Sequence, residues 1–399
     1  MKYSGLEIEP QANQTDNSRL MQLDETGSKY LSTEQDHLRQ FNQTFESLLA
    51  NYDKPASAGW LIKFHELPRD KVAYNASKTF MVDEKPHMLV RIEGKRADQE
   101  FTSKLAIYEV SPDRRDCYPS AISNLEELTN IKVTQDPSIS FVRNNWVISW
   151  VEVEPNDVDN PDKGCTFRSV TAIGEKLNSL RRLVESDTDT KGVRYVELLD
   201  GRIGVTSRPS KDGKYSINFS IADSFEEIDS QFLANSNPIR GLDSLIINDG
   251  PLKRWIGPND MQLLANGDLS LLFHVAGFKD HQIKDYREYS VAHCILKLNQ
   301  EQGYAQADFI KLLARADDFG ISVKDLPPKR ADLKEVAYPS CIILDPSDHN
   351  KPILLAALRD AGQVGIRISD PLEDWKHNQS KDKNSSLSHS IFDQLLNAS

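Results

Sequence analysis

Between Gly59 and Asp370 the chain is a succession of short runs rich in β-branched and aromatic residues, with little helical periodicity. Many runs are joined by tight-turn pairs. Val193-Arg-Tyr-Val-Glu-Leu-Leu199 meets Arg202-Ile-Gly-Val-Thr206 across Asp200-Gly201, and Met261-Gln-Leu-Leu264 meets Leu269-Ser-Leu-Leu-Phe273 across Asn266-Gly267. Ser216-Ile-Asn-Phe-Ser-Ile221 follows Asp212-Gly213. Asp-Gly and Asn-Gly between apolar runs favour hairpins, because both central turn positions need positive φ. The body is therefore all-β. Its runs sort into groups at residues 60–110, 131–172, 191–222, 255–298 and 305–370, each of three or four strands. That rhythm suits a β-propeller, with a pair of β-sandwiches as the competing architecture.

The flanks differ in character. Residues 1–55 form an N-terminal extension whose first 31 positions are polar and read as loosely ordered. Ser32 and Gln35 have capping-box spacing, and Leu38, Phe41, Phe45, Leu48 and Leu49 then share one face, which predicts a helix near 33–52. Residues 56–371 form the β body, and 372–399 read as a polar C-terminal tail. Within the tail, Ile391, Phe392, Leu395 and Leu396 suit a docked turn of helix.

A formal net charge of -12 argues against non-specific binding of nucleic acid or anionic membrane, which needs a basic face. No apolar run approaches the roughly 20 residues of a membrane span, and the first residues lack the apolar segment of a signal peptide. Cys117, Cys165, Cys294 and Cys341 are scattered, without Cys-x-x-Cys or clustered histidines. They read as reduced thiols of a cytoplasmic protein, with neither a disulfide frame nor a metal site. Nucleotide-cofactor, serine-hydrolase and zinc-peptidase motifs are missing, and no organic cofactor is expected.

Several clusters carry chemistry, each with a plainer reading beside it. Asp136 precedes Pro137 in Val133–Val142, which forms a hairpin with Trp146–Val153 across Arg143-Asn144-Asn145. Proline confines the preceding residue to extended backbone and belongs at a strand's mouth. Asp136 is then either a turn aspartate or a general acid. Arg91, Glu93 and Lys95 share a strand face, so Glu93 is placed to orient Arg91, unless the run is simply an exposed charged strand. Lys191, Arg194 and Arg208 bracket one hairpin and suit an anion such as phosphate, although hairpin ends often carry charge. His274 ends an apolar strand, as a core residue or as a ligand. Asp360 stands before a glycine turn, where it suits either sugar hydroxyls or turn chemistry.

In this order the clusters resemble the mannoside phosphorylases of glycoside hydrolase family 130. They are closer to the related five-bladed β-propeller proteins that include β-1,2-mannosyltransferase/phosphorylases. The resemblance covers about residues 60–370 and rests on Gln135-Asp136-Pro137, Tyr74-Asn75, Arg91-Ile-Glu-Gly-Lys-Arg96, Val193–Pro209, Trp255–His274, Pro328–Lys334 and Asp360. It differs at Ala337–Ser340, at Gln262 and in Asp285–Tyr289, positions at the rim of the pocket.

The resemblance implies a five-bladed propeller carrying a carbohydrate-active enzyme, with Asp136 as catalytic acid acting through a sugar hydroxyl. Lys191, Arg194, Arg208 and His274 then hold phosphate as co-substrate, and Asn75, Arg91, Glu93, Arg96, Asp260 and Asp360 face the sugar. The partners implied are a mannose-containing oligosaccharide, mannose 1-phosphate or a nucleotide sugar, with an oligomer possible. Two alternatives stand beside this: a non-catalytic sugar-binding propeller, and a hydrolase of the same fold. The hydrolase needs a second carboxylate, such as Asp260 or Glu152, about 6.5–9.5 Å from Asp136.

Overall fold

Alternating apolar runs become antiparallel hairpins in the computed structural model. It describes residues 43–376 apart from 130–131, 157–163, 212–213, 248–252, 279–285, 302, 346–347 and 374. The expected turn at 212–213, the extension before residue 43 and the tail beyond 376 lie outside the described residues. The first antiparallel group comprises Lys71–Tyr74, Thr79–Val82, Lys85–Gly94, Lys104–Val110 and Asp116–Ser120. The second is Val133–Val142, Asn145–Pro155, Cys165–Gly174 and Arg181–Glu185. Thr190–Glu197, Ile203–Lys211, Asn218–Ala222 and Asn237–Pro238 make the third. Arg254–Leu263, Leu269–Phe278, Arg287–Asn299 and Tyr304–Ala314 make the fourth.

The fifth group corrects the sequence grouping. It starts at Glu335–Asp345, continues through Asp348–Leu358 and Gly362–Arg367, and takes its last strand, Trp60–Leu61, from the other end of the β body. Tyr304–Ala314 belongs to the fourth group. Trp60 pairs with Gly365 and Leu61 with Val364, so the beginning of the β body is stitched to its end. A short parallel pairing, Glu288 with Glu335 and Tyr289 with Val336, fuses the fourth and fifth groups into one eight-stranded sheet.

Apolar cores lie between successive groups. Leu89 and Ile107 of the first pack with Ile148 and Val170 of the second, and Val147 and Ile173 of the second with Val193 and Val205 of the third. Phe219 meets Leu271 and Phe273, Leu313 meets Leu354 and Val364, and Met88 and Val90 meet Cys341 and Leu355. The last contact joins the fifth group to the first, so the cores follow one another in a ring. Each sheet face is thereby covered by its neighbour's inward side chains, the requirement for a stable layered β structure.

Turn chemistry is more varied than the glycine pairs suggest. Gly201 and Gly267 take φ +80 and +87, but Asp200 and Asn266 stay at negative φ, so these loops are not the two-residue turns expected. The turns with two positive φ values in a row use other residues: Asp83-Glu84, Arg143-Asn144 and Arg359-Asp360. Of the helix expected near 33–52, residues 33–42 lie outside the described residues, and the described part runs over Phe45–Ala50. Thr44 caps Phe45–Ala50 through its hydroxyl, residues 43–44 are not helical, and Phe45 and Leu48 pack into the core between the third and fourth groups. The body also extends past residue 371. Leu372 and Trp375 are buried against Leu264 and Ile295, and the Trp375 indole donates to Asp308 at 2.8 Å. All four cysteines are free, and no described helix is long and apolar enough to cross a membrane.

Candidate active site

A carboxylate and several cations far apart in sequence can meet only where strands from different groups approach one another. The first strands of neighbouring groups do so: Val133–Val142 touches Thr190–Glu197, which touches Arg254–Leu263, which touches Glu335–Asp345. Each carries a break in register, at 135/138, 191/194, 258/260 and 339/341. A bulge leaves a residue out of the ladder and re-aims its side chain. Proline or glycine stands in every one of these breaks: Pro137, Gly192, Pro258 and Pro339. That is where a strand tolerates a missing donor or a left-handed residue.

Asp136 is one of the residues so re-aimed. Its φ is +50, not extended as Pro137 led us to expect, and it sits within a strand instead of at the strand's mouth. Its Oδ1 accepts a 3.0 Å hydrogen bond from Asn75 Nδ2 and lies 4.0 Å from Arg91 Nη1. With Lys191, Arg194, Arg208 and His274 it shares a cleft of about 80 Å³, walled by Trp255, Tyr289 and Tyr338.

The three cations form no ion pair among the described residues. Lys191 Nζ lies 4.2 Å from the centre of the Phe167 ring, and burial lowers its pKa against the pull of Asp136. Arg194 Nε donates to the Asn259 carbonyl at 2.6 Å, and Arg208 Nη1 donates to the Ile256 carbonyl at 3.3 Å. Arg208 Nε is buried without a partner. The His274 ring stacks on Tyr289, with centroids 5.3 Å apart, and tilts against Tyr338 at 4.9 Å. Burial first, then Arg208, Arg194 and Lys191, holds its pKa well below the ordinary histidine value, so the imidazole is neutral. Positive charge held in low dielectric without an ion-pair partner suits an anion.

Beside this cleft lies a second cluster. Arg91 donates to Glu93 through Nε at 2.9 Å and Nη2 at 2.5 Å, and its guanidinium lies 5.0 Å from the Tyr74 ring centre. Tyr74 Oη and Lys329 Nζ both donate to the other oxygen of Glu93. Glu93 is 1% exposed, so it orients Arg91 and does not present itself to a ligand. Asp360 has φ +50, and no hydrogen bond to its carboxylate is found among the described residues. Burial pushes its pKa up to about 6, helped by Glu93 and Glu100 and opposed by Arg91 and Arg330. A half-buried carboxylate with free acceptors is suited to sugar hydroxyls.

That shift makes a prediction. The folded pKa of Asp360 exceeds the unfolded value of about 3.9, so the folded state binds the extra proton between about pH 4 and 6. Stability is therefore lost as pH rises through that window. Asp360→Asn should raise stability near pH 8, by about 1–2 kcal/mol after screening at the cleft, and should weaken sugar binding. Urea melts at pH 4 and pH 8, set beside sugar titrations, check both signs.

Besides Glu93, the structure corrects two further expectations on the sugar side. Arg96 is exposed and paired with Asp98, outside the cluster. Asp260 stays in the ladder opposite Leu272 and is engaged elsewhere, accepting from Gln262 Nε2 at 2.9 Å and lying 3.8 Å from Lys78. Glu152, the other suggested second carboxylate, is buried between Arg182 at 2.5 Å and Arg168 at 3.4 Å. Neither lines the cleft. No described cluster of His, Cys, Asp or Glu could hold a metal ion.

Sequence reading missed the wall. Tyr289 fell in a loosely matching stretch, and Tyr338 in one noted only as a difference. Asn259 and Gly257 were passed over, although Pro258 between them marks the bulge. A Cβ at Gly257 would lie 2.4 Å from His274 Cε1 and 2.8 Å from Arg208 Nη1. Gly257→Ala should therefore displace both side chains and lower activity at least about tenfold. The cost to stability should be about 1–3 kcal/mol, the usual range for overpacking. Paired melts and rate measurements separate the two effects.

The sequence matches a family described as "Protein of unknown function (DUF1861)" over residues 51–374. No curated protein matches it in sequence. Among solved structures it is similar to MPT-4, a mannose phosphorylase from Leishmania mexicana in complex with phosphate ion. The TM-score is 0.66 at 19% identity, covering 86% of this chain and 96% of that one. MPT-1, a GDP-Man-dependent mannosyltransferase from Leishmania mexicana, gives 0.66 at 18% identity over 82% and 95%. A β-1,2-mannobiose phosphorylase from Listeria innocua gives 0.51 at 11% over 78% and 94%. The resemblance read from the motifs holds, as a likeness of fold.

Proposed function

This chain belongs to the DUF1861 family, and from the geometry of its site we propose that it transfers a mannosyl group between a β-mannoside and phosphate. In this reading the ring of strand groups is a five-bladed propeller and the cleft is its catalytic centre. The observation that carries the proposal is one proton donor, Asp136, sharing a cleft with three cations that have no carboxylate partners. A hydrolase of the two-carboxylate kind must activate water with a second carboxylate. Phosphate is already a nucleophile and needs only to be held and aimed.

Asp136 delivers a proton toward the glycosidic oxygen, directly or through a sugar hydroxyl, as the C1–O bond breaks. Phosphate held by Lys191, Arg194, Arg208 and His274 attacks C1 from the opposite face. The products are mannose 1-phosphate of inverted configuration and a shortened acceptor. Asn75 orients Asp136, while Arg91, braced by Glu93, and Asp360 hold the mannosyl ring. Run backward, the same steps build an oligosaccharide. A nucleotide sugar would use the cation set through its diphosphate. The fold shared with a mannose phosphorylase and with a GDP-Man-dependent mannosyltransferase supports both donors.

The test is incubation with β-mannobiose, with and without phosphate, following release of mannose 1-phosphate. A parallel reaction offers GDP-mannose. Phosphate-dependent release supports the proposal, and mannose release that ignores phosphate overturns it.

A further inference from the structure

His274 presents an unusual face to the cleft. Its Nδ1 lies 2.8 Å from Asn259 Oδ1, and Asn259 Nδ2 donates to the Pro339 carbonyl at 2.8 Å. The second bond settles the amide's orientation, because only the NH₂ end can donate to a carbonyl. The oxygen end therefore faces His274, so Nδ1 carries the ring proton and Nε2 carries a lone pair. Both anchors stand in bulges: Asn259 in the 258/260 break and Pro339 in the 339/341 break. No hydrogen bond to Nε2 is found among the described residues, although His274 is only 4% exposed and lines the cleft. The ring stacks on Tyr289 and is flanked by Tyr338, two phenols that adjoin each other 6.4 Å apart, and the Asn259 bond sets which nitrogen is left facing the cleft.

We propose that His274, held in this tautomer by Asn259, accepts a hydrogen bond from a P–OH group, so that the cleft selects phosphate over sulfate by reading the anion's proton. The inference rests on the phosphate site proposed above and goes on to name what sets its selectivity. Lys191, Arg194 and Arg208 attract any oxyanion and cannot tell the two apart. Hydrogen phosphate retains one proton at neutral pH, and sulfate retains none. A sulfate oxygen would face the Nε2 lone pair, leaving two buried acceptors opposed with no hydrogen between them. The charged and titratable groups facing the ring are Arg208 on one strand, Lys191 and Arg194 on another, and the Tyr289 and Tyr338 phenols. The three cations disfavour an imidazolium, which keeps Nε2 an acceptor. Asn259 is thus a positioning residue acting through His274.

The experiment is calorimetric titration of the full chain with sodium phosphate, sodium arsenate and sodium sulfate at matched ionic strength. It is run at pH 8 in two buffers of different ionisation enthalpy. Phosphate and arsenate should bind alike, without proton uptake, and sulfate at least about tenfold more weakly. Asn259→Asp places a carboxylate against Nδ1, favouring the imidazolium and turning Nε2 into a donor. In that variant the phosphate-to-sulfate ratio should fall toward one. Should the variant not fold, the wild-type titrations decide alone. Sulfate binding as tightly as phosphate, or phosphate binding with uptake of a proton, overturns the inference and leaves the phosphate site standing. Failure of every anion to bind removes the phosphate site and this inference with it.

Discussion

Asp136→Asn is expected to cut release of mannose 1-phosphate from a β-mannoside by about 10²- to 10⁴-fold, the share that general acid catalysis ordinarily contributes. The substitution is chosen for what it leaves in place. Position 136 has φ +50, and asparagine enters that left-handed region more readily than most residues. Its amide oxygen can still accept the bond from Asn75 Nδ2. The fold and the cation set should be intact, so phosphate should bind the variant within a few-fold of wild type. A mannoside whose leaving group departs without a proton, such as a nitrophenyl mannoside, should lose far less. A variant retaining activity within tenfold on the natural type of linkage would remove Asp136 from the role of acid.

The hairpins were legible because apolar alternation and Asp-Gly or Asn-Gly turns act over a few residues. The site was legible in part for a related reason. Asp-Pro, Lys-Gly-Val-Arg and Trp-Ile-Gly-Pro-Asn-Asp each insert proline or glycine into a β run, and each insertion proves to be a bulge at the site. The rule applied to Pro137 placed it at a strand's mouth, whereas proline is equally at home in an internal bulge. Had Pro258 and Pro339 been read the same way, Asn259 and Tyr338 would have come forward as candidates.

What was illegible is what depends on partners far along the chain. Glu93 looks like a ligand until Tyr74 and Lys329 are seen holding its second oxygen. Arg96, two residues past Gly94, shares a run with Arg91 yet leaves the cluster once the strand ends there. The closing strand Trp60–Leu61 pairs across some three hundred positions, and no local pattern announces such a partner. The same holds for Leu372 and Trp375, whose apolar side chains stand in a polar stretch and find their core only in the fourth group.

Lys191→Met should lower kcat/KM for phosphate by about 10²- to 10³-fold, the usual loss when one oriented charge-stabilising donor is removed. Stability should move the other way. Lys191 Nζ makes no hydrogen bond or ion pair among the described residues, and it is held beside Arg208 and Arg194. Burial lowers its pKa, outweighing the opposing pull of Asp136, and Arg208 adds to the lowering. A lysine whose folded pKa lies below its unfolded value has fewer protons bound in the folded state between those values. Stability then rises with pH through that window, and charged Lys191 costs stability below it. Methionine keeps the length of the stem and a contact with the Phe167 ring while removing the charge. The melting temperature of the variant should therefore exceed that of wild type in phosphate-free buffer at pH 7. Adding phosphate should reverse the order. Saturation at a hundred times Kd stabilises the wild type by about 2.7 kcal/mol, while the variant gains little because it barely binds. Thermal melts with and without phosphate read the crossing directly. A variant less stable than wild type in both buffers would make Lys191 a structural cation, and a cleft that loses no phosphate affinity without it would not be an anion site.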